Sequence, residues 1–134
     1  MVIIDTSAWI EFFNKNSNFP SIKEQVRLCL SSHIVGIGDL IYCEILQGIK
    51  QDKEAEKVKT FLLGLTRYNM VNFELAEFSA SNYRLLRQRG ITVRKTIDVL
   101  IASFCIKNEF QLLHNDADFS YIEEYLGLKA FNQF

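Results

Sequence analysis

Proline occurs once and glycine six times in 134 residues, which excludes collagen-like repeats and flexible linker-rich chains. The three cysteines, Cys29, Cys43 and Cys105, are odd in number, widely spaced and embedded in apolar segments. They exclude a disulfide framework and are read as buried, reduced thiols of a cytoplasmic protein. Zinc is disfavoured because CxxC and HExxH are absent, with His33 and His114 isolated. No apolar run is long enough to span a bilayer. The start, MVIIDTSAWIE, has no basic leader and meets an acid after four residues, so neither a secretory signal nor a membrane anchor is expected. An excess of one charge is missing too: 15 Lys and Arg face 16 Asp and Glu, a formal net charge of -1, which excludes a uniformly basic nucleic-acid binder.

What the chain does have is apolar residues, 49% of the total with 11 Phe, at a length that suits one domain over residues 1–134 with its own core. Val2-Ile3-Ile4 is a short β-branched run of the kind covered on both faces of a parallel sheet, and it is expected at the sheet's centre. Thr6-Ser7 is placed to cap a helix through Trp9, Ile10 and Phe13, and Ser21 to Glu24 forms a capping box for a second helix to about Leu30. His33 to Ile37 reads as a strand, Asp39 as the N-cap of a helix carrying Glu44 and ending near Gly48. A fourth helix starts at Asp52 with Ala55, Val58, Phe61, Leu62 and Leu65 on one face, and a strand lies around Met70-Val71. Glu74 to Gln88 is a fifth helix closed by Gly90; Thr96 caps a sixth to about Lys107. Phe110 to His114 is a strand, Tyr121 to Leu126 a short helix and Leu128 to Phe131 a last strand. This alternation predicts an α/β fold: a three-layer α/β/α sandwich around a parallel sheet of four to five strands, with a helical clip from the segment between Asp39 and Gln88 on one side.

Four acids interrupt apolar stretches: Asp5 after VII, Glu44 in LIYCEIL, Asp98 in TIDVLIA and Asp116 after FQLLHN. A carboxylate removed from water must be protonated, paired or coordinated, and neither Asp5 nor Glu44 has a Lys or Arg beside it in sequence. In parallel α/β folds the ligand crevice lies beyond the carboxyl ends of the strands, which is where Asp5 and Asp116 fall. Helical spacing turns Asp98 and Glu44 inward as well. Such acids repel one another unless a cation sits among them, and hard oxygen donors select Mg²⁺ or Mn²⁺, with Asp5, Asp98 and Asp116 as the expected ligands. A metal-dependent phosphodiester hydrolase follows. Each Asp taken alone is equally well a cap or turn residue. Thr6 and Asn115 either orient carboxylates or serve as caps, and Asp118 is an alternative to Asp116 as last ligand. Trp9 and Phe119 are read as core.

From Arg84 to Lys95 the segment RLLRQRGITVRK holds Arg84, Arg87, Arg89, Arg94 and Lys95 and no acid. It reads either as a solvated helix face or, beside a nuclease site, as a strip holding a phosphate backbone.

VIIDTSAWIE, the acid in CEILQG, TIDVLIA and LLHNDADF together resemble the PIN-domain family, in particular the VapC-type toxins of toxin–antitoxin pairs. The resemblance covers nearly the whole chain. It implies a parallel-sheet α/β/α fold and a Mg²⁺- or Mn²⁺-dependent endoribonuclease in which Asp5, Glu44, Asp98 and Asp116 match the acidic quartet. It also implies a structured RNA substrate such as tRNA or rRNA, homodimers, and silencing by a cognate VapB-type antitoxin. The family often has Thr or Ser just before the last Asp, where this chain has Asn115. The alternative from another class is a non-catalytic PIN-like module acting through RNA or protein binding. A phosphoacceptor receiver domain is disfavoured because its paired acids after the first strand and its late strand-end Lys are missing here, and dinucleotide binding because no GxGxxG follows that strand.

Overall fold

Val2-Ile3-Ile4 forms β1 (Val2–Ile4), with all three side chains buried, inside a parallel sheet whose other strands are β2 (Val35–Gly38), β3 (Thr66–Tyr68) and β4 (Gln111–Leu113). The computed structural model describes residues 1–131; the last three positions of the span expected for the domain lie outside the described residues. Strand order is β3-β2-β1-β4, with Ile3 opposite both Gly36 and Leu112. Among the described residues seven helices flank the sheet, as expected for an α/β/α sandwich: α1 (Thr6–Phe13), α2 (Pro20–Ser31), α3 (Asp39–Gln47), α4 (Asp52–Leu63), α5 (Phe73–Gln88), α6 (Thr96–Asn108) and α7 (Asp118–Leu126). One group packs α1 on α2 and α3, and α3 on α4; the other packs α6 on α5 and α7. Trp9 and Phe119 are fully buried, as expected. Trp9 stacks on Phe13 with ring centroids 5.6 Å apart and meets the edge of Phe61 on α4 at 6.1 Å, tying the α3–α4 clip to α1.

The differences from expectation have local causes. α1 is capped by Asp5, whose side chain accepts from the Ser7 N–H, not by Thr6 or Ser7. Pro20 opens α2, since the first helical position needs no N–H donor, and Ser21 makes no cap. Gly38 and Lys95 occupy the N-cap positions of α3 and α6, leaving Asp39 and Thr96 as first helical residues. Asp39 instead clips two segments together: its Oδ1 accepts from the N–H of Leu40 at 2.9 Å and of Met70 at 3.0 Å. The third strand precedes Met70-Val71 because it is a sheet edge, where exposed Thr66 and Arg67 are tolerated; Met70 is buried after it. It also interrupts the helices between Asp39 and Gln88, so the clip is α3 and α4 only. The last expected strand reduces to one bridge, Leu112 to Ala130, with Leu128 and Phe131 packed as core. Cys43 is exposed, against expectation. Cys29 and Cys105 are buried, and burial pushes their thiols up to about 11 and about 12, so both are inert at neutral pH. Gly90 ends α5 as expected, with φ of 79°.

Gly36 marks a close approach within the sheet. A Cβ there would lie 2.5 Å from Cε2 of Tyr68 and 3.2 Å from Cδ1 of Ile3, and the Tyr68 ring packs against those of Phe104 and Phe110. Gly36→Ala is therefore expected to destabilise the fold by about 1–3 kcal/mol. A lower urea midpoint at unchanged m-value checks this; an unshifted midpoint would mean that the ring yields freely.

Candidate active site

The chain moves outward from β1 to β2 to β3, then returns to the other side of β1 for β4. That reversal opens a crevice between the carboxyl ends of β1 and β4. Asp5 follows β1 directly, and its N–H donates to the carbonyl of Leu113 at 2.9 Å. Its Oδ2 accepts from the Ser7 N–H at 3.0 Å and from the Ser7 hydroxyl at 2.6 Å. The same hydroxyl accepts from the Asn115 N–H at 2.9 Å. Ser7 thus fastens the loop after β4 to the carboxylate after β1. Asn115 contributes through its backbone. Sequence reasoning assigned Ser7 only a capping role; the DTS triplet offered the one available signal.

Glu44, mid-way along α3, is half-buried, and its Oε1 accepts from the Thr6 hydroxyl at 3.0 Å. Thr6 therefore orients a carboxylate. Burial pushes the Glu44 carboxyl up from its ordinary value; the Thr6 bond opposes this, the charge of Asp5 adds to it and Lys95 opposes it. Asp98, in the first turn of α6, is 4% exposed, and its Oδ2 is buried without any hydrogen-bond partner. Its carboxyl is pushed up to about 7, chiefly by burial, then by the charge of Asp5, with Lys95 opposing and Asp116 and Glu44 adding smaller increments. The other three expected acids therefore all act on Asp98. Asp118 joins them: one oxygen from each of Asp98, Asp116 and Asp118 lies within 4.8 Å of the other two. Opposite ligands of a Mg²⁺-sized ion stand about 4.2 Å apart, so a small closure of the side chains suffices. The trio holds Asp98 and Asp116 of the expected ligands together with Asp118, the expected alternative, which the loop and the start of α7 place beside Asp116. The Asp118 N–H donates to Asp116 Oδ1 at 3.0 Å. A buried carboxylate oxygen without a donor, beside two further carboxylates, is a donor set that fits a hard divalent cation.

The PIN domain family pattern matches residues 2–125. The chain belongs to the PIN-domain family. It is 31% identical over 130 residues, 97% of each chain, to a VapC ribonuclease of Mycobacterium bovis and to Ribonuclease VapC11 of Mycobacterium tuberculosis. Among solved structures it resembles VapBC2 of Rickettsia felis bound to a promoter DNA fragment, with TM-score 0.77 and 19% identity over 100% of both chains. It also resembles VapC20 of Mycobacterium tuberculosis, described as a sarcin-ricin loop cleaving toxin, with TM-score 0.66 and 14% identity over 90% of this chain and 93% of that one. These last two establish the shared PIN fold.

Around the PIN crevice the expected basic strip divides. Lys95 lies close enough to act on Glu44 and Asp98, and Arg94 Nη2 lies 3.7 Å from Asp118 Oδ1. Arg84 and Arg87 line a groove of about 420 Å³ between α5 and α6 that reaches Thr96, two residues from Asp98. Arg87 also rests 5.9 Å from the Tyr83 ring centre. Arg89 turns away, over the ring of Tyr125 on α7 at 5.8 Å. The strip is thus two cations at the acids, two in a neighbouring groove and one set apart.

A carboxyl raised by burial favours folding while protonated, and this contribution is lost as pH rises from about 4 through about 7. Holding Asp98 charged at pH 8 costs about 1.4 kcal/mol for each tenfold shift in its protonation equilibrium. Asp98→Asn, measured without metal, is expected to equal the parent protein near pH 4 and exceed it by a few kcal/mol at pH 8. Denaturant melts at both pH values check this; a variant weaker at pH 8 would mark Asp98 as a structural cap.

Proposed function

We propose that this chain is a metal-dependent endoribonuclease, the toxin of a toxin–antitoxin pair, with one catalytic unit built from the whole chain. The observation that carries the reading is the unpartnered buried oxygen of Asp98 within a ring of carboxylates at the β1/β4 crevice. Asp98, Asp116 and Asp118 would hold Mg²⁺ or Mn²⁺, with Asp5 facing them. When bound, the cation polarises a phosphoryl oxygen and makes hydroxide available at neutral pH. The chain's own residues set the geometry. Ser7 fixes Asp5, and Thr6 holds Glu44 ready to take a proton from the attacking water. Arg94, Lys95, Arg84 and Arg87 offer a cationic path for the RNA backbone, and structured RNA such as tRNA or rRNA is the substrate we assign.

A VapB-type antitoxin is the partner in this proposal, supported by an apolar groove of about 260 Å³ that starts at Thr6 and Glu44 and runs past Ile10, Phe13 and Val58. An apolar peptide segment lying there would end at the acids. Exposed Phe73 and Val71 supply a separate apolar contact for pairing two copies into a homodimer. No helix among the described residues is long and apolar enough to cross a membrane, in keeping with cytoplasmic action.

Purified protein incubated with total RNA is expected to cut it in Mn²⁺ and not in EDTA, and Asp98→Asn is expected to abolish cleavage. Intact RNA in both lanes would favour a non-catalytic binding module instead. In parallel, Mn²⁺ at a hundredfold excess over its dissociation constant is expected to stabilise the fold by about 2.7 kcal/mol, seen as a higher melting temperature that EDTA reverses.

A further inference from the structure

His114 stands between the acid-bearing loop and α7. Its Nδ1 accepts the Asp116 backbone N–H at 3.3 Å, and its Nε2 lies 2.7 Å from Glu123 Oε1. A neutral imidazole has one donor nitrogen and one acceptor. With Nδ1 accepting, the ring proton belongs on Nε2 and donates to Glu123, a tautomer assigned from these two contacts. The ring also packs on fully buried Phe119, with centroids 4.9 Å apart. Glu123 belongs to α7, the helix that Asp118 opens, and the Asp118 N–H returns to Asp116 Oδ1. His114, Glu123, Asp118 and Asp116 therefore form a closed circuit of hydrogen bonds and helix backbone. Two of its members are carboxylates of the trio, and the histidine that looked isolated in sequence is what joins the loop to the helix.

We propose that His114, oriented by Glu123, is a positioning residue that sets the Asp116 and Asp118 carboxylates at the separation a divalent cation requires. The inference rests on reading those carboxylates as metal-binding. Groups that orient ligands from behind typically change metal affinity 10–100-fold when removed, without touching substrate.

The acceptor and donor functions of the ring separate by substitution. His114→Asn places Oδ1 where Nδ1 stood and keeps an acceptor for the Asp116 N–H. His114→Gln reaches Glu123 with an amide but has a carbon in place of Nδ1. Calorimetric titration with Mn²⁺ is expected to show 10–100-fold weaker binding for His114→Ala, comparable weakening for His114→Gln, and recovery of most of the affinity in His114→Asn. In RNA cleavage the Mn²⁺ requirement should rise in the same order, while kcat at saturating Mn²⁺ and KM for RNA stay near those of the parent protein. Equal losses in Asn and Gln that follow melting temperature, with an unchanged Mn²⁺ requirement, would reduce His114 to a packing residue. If the parent protein neither binds Mn²⁺ nor cuts RNA, the carboxylate reading fails and takes this inference with it. If the parent does both and the three variants match it, this inference alone fails. Imidazole ¹⁵N spectra of the metal-free parent protein give a readout that needs no variant to fold: the expected pattern is an acceptor Nδ1 and a protonated Nε2, and the opposite tautomer overturns the proposal.

Discussion

Removing several carboxylates from water at one end of a parallel sheet is the constraint on which the rest of this structure depends. The hydrophobic core holds Asp98 at 4% exposure and Asp5 at 5%, and the desolvation of each charge is compounded by the others. The fold relieves this only in part. Lys95 is exposed and opposes the rise on Glu44 and Asp98 without cancelling it, and Arg94 remains 3.7 Å from Asp118. Hydrogen bonds from Ser7 and Thr6 hold two of the acids in place. They leave a buried oxygen of Asp98 without a donor. The result is a cluster of carboxylates whose charges are incompletely answered by the groups around them.

The same topology divides the surroundings of the crevice by chemistry. α1, α3 and α4 present an apolar wall through Ile10, Phe13 and Val58, ending at Glu44. α5 and α6 present Arg84 and Arg87 with Tyr83, ending near Asp98. An apolar peptide and a polyanion would thus approach the same carboxylates from different sides. The apolar groove includes Glu44 in its lining, and the other stops at Thr96, two residues from Asp98.

Much of the architecture was legible because it rests on short-range rules. The VII run, strand-end acids and helical spacing around Asp98 and Glu44 each reflect a side chain whose direction follows from local backbone geometry. The errors came where neighbours distant in sequence outweighed local preference. Thr66–Tyr68 is a strand because it pairs with β2 at an open edge, although its polar residues give no apolar signal. Ser7 and His114 gained their positions from contacts with Asn115, Glu123 and the loop after β4, which no local pattern encodes. Cys43 is exposed because α3 turns only one face toward the sheet, leaving an apolar-looking segment with a solvent side.

By itself the sequence determined which acids interrupt apolar stretches, and hence which carboxylates must be protonated, paired or coordinated; that follows from solvation, which depends on residue type and burial pattern alone. The order of strands was decided only by the tertiary structure, and with it the placing of Asp5 and Asp116 beyond the ends of adjacent strands. It also decided that Asp118 shares the trio with Asp98 and Asp116 while Arg89 leaves the strip for Tyr125. Distances between groups far apart along the chain depend on how whole elements pack. Electrostatic interaction falls with such distances, so residue types narrowed the candidate acids, and only three dimensions showed which of their oxygens lie near one another.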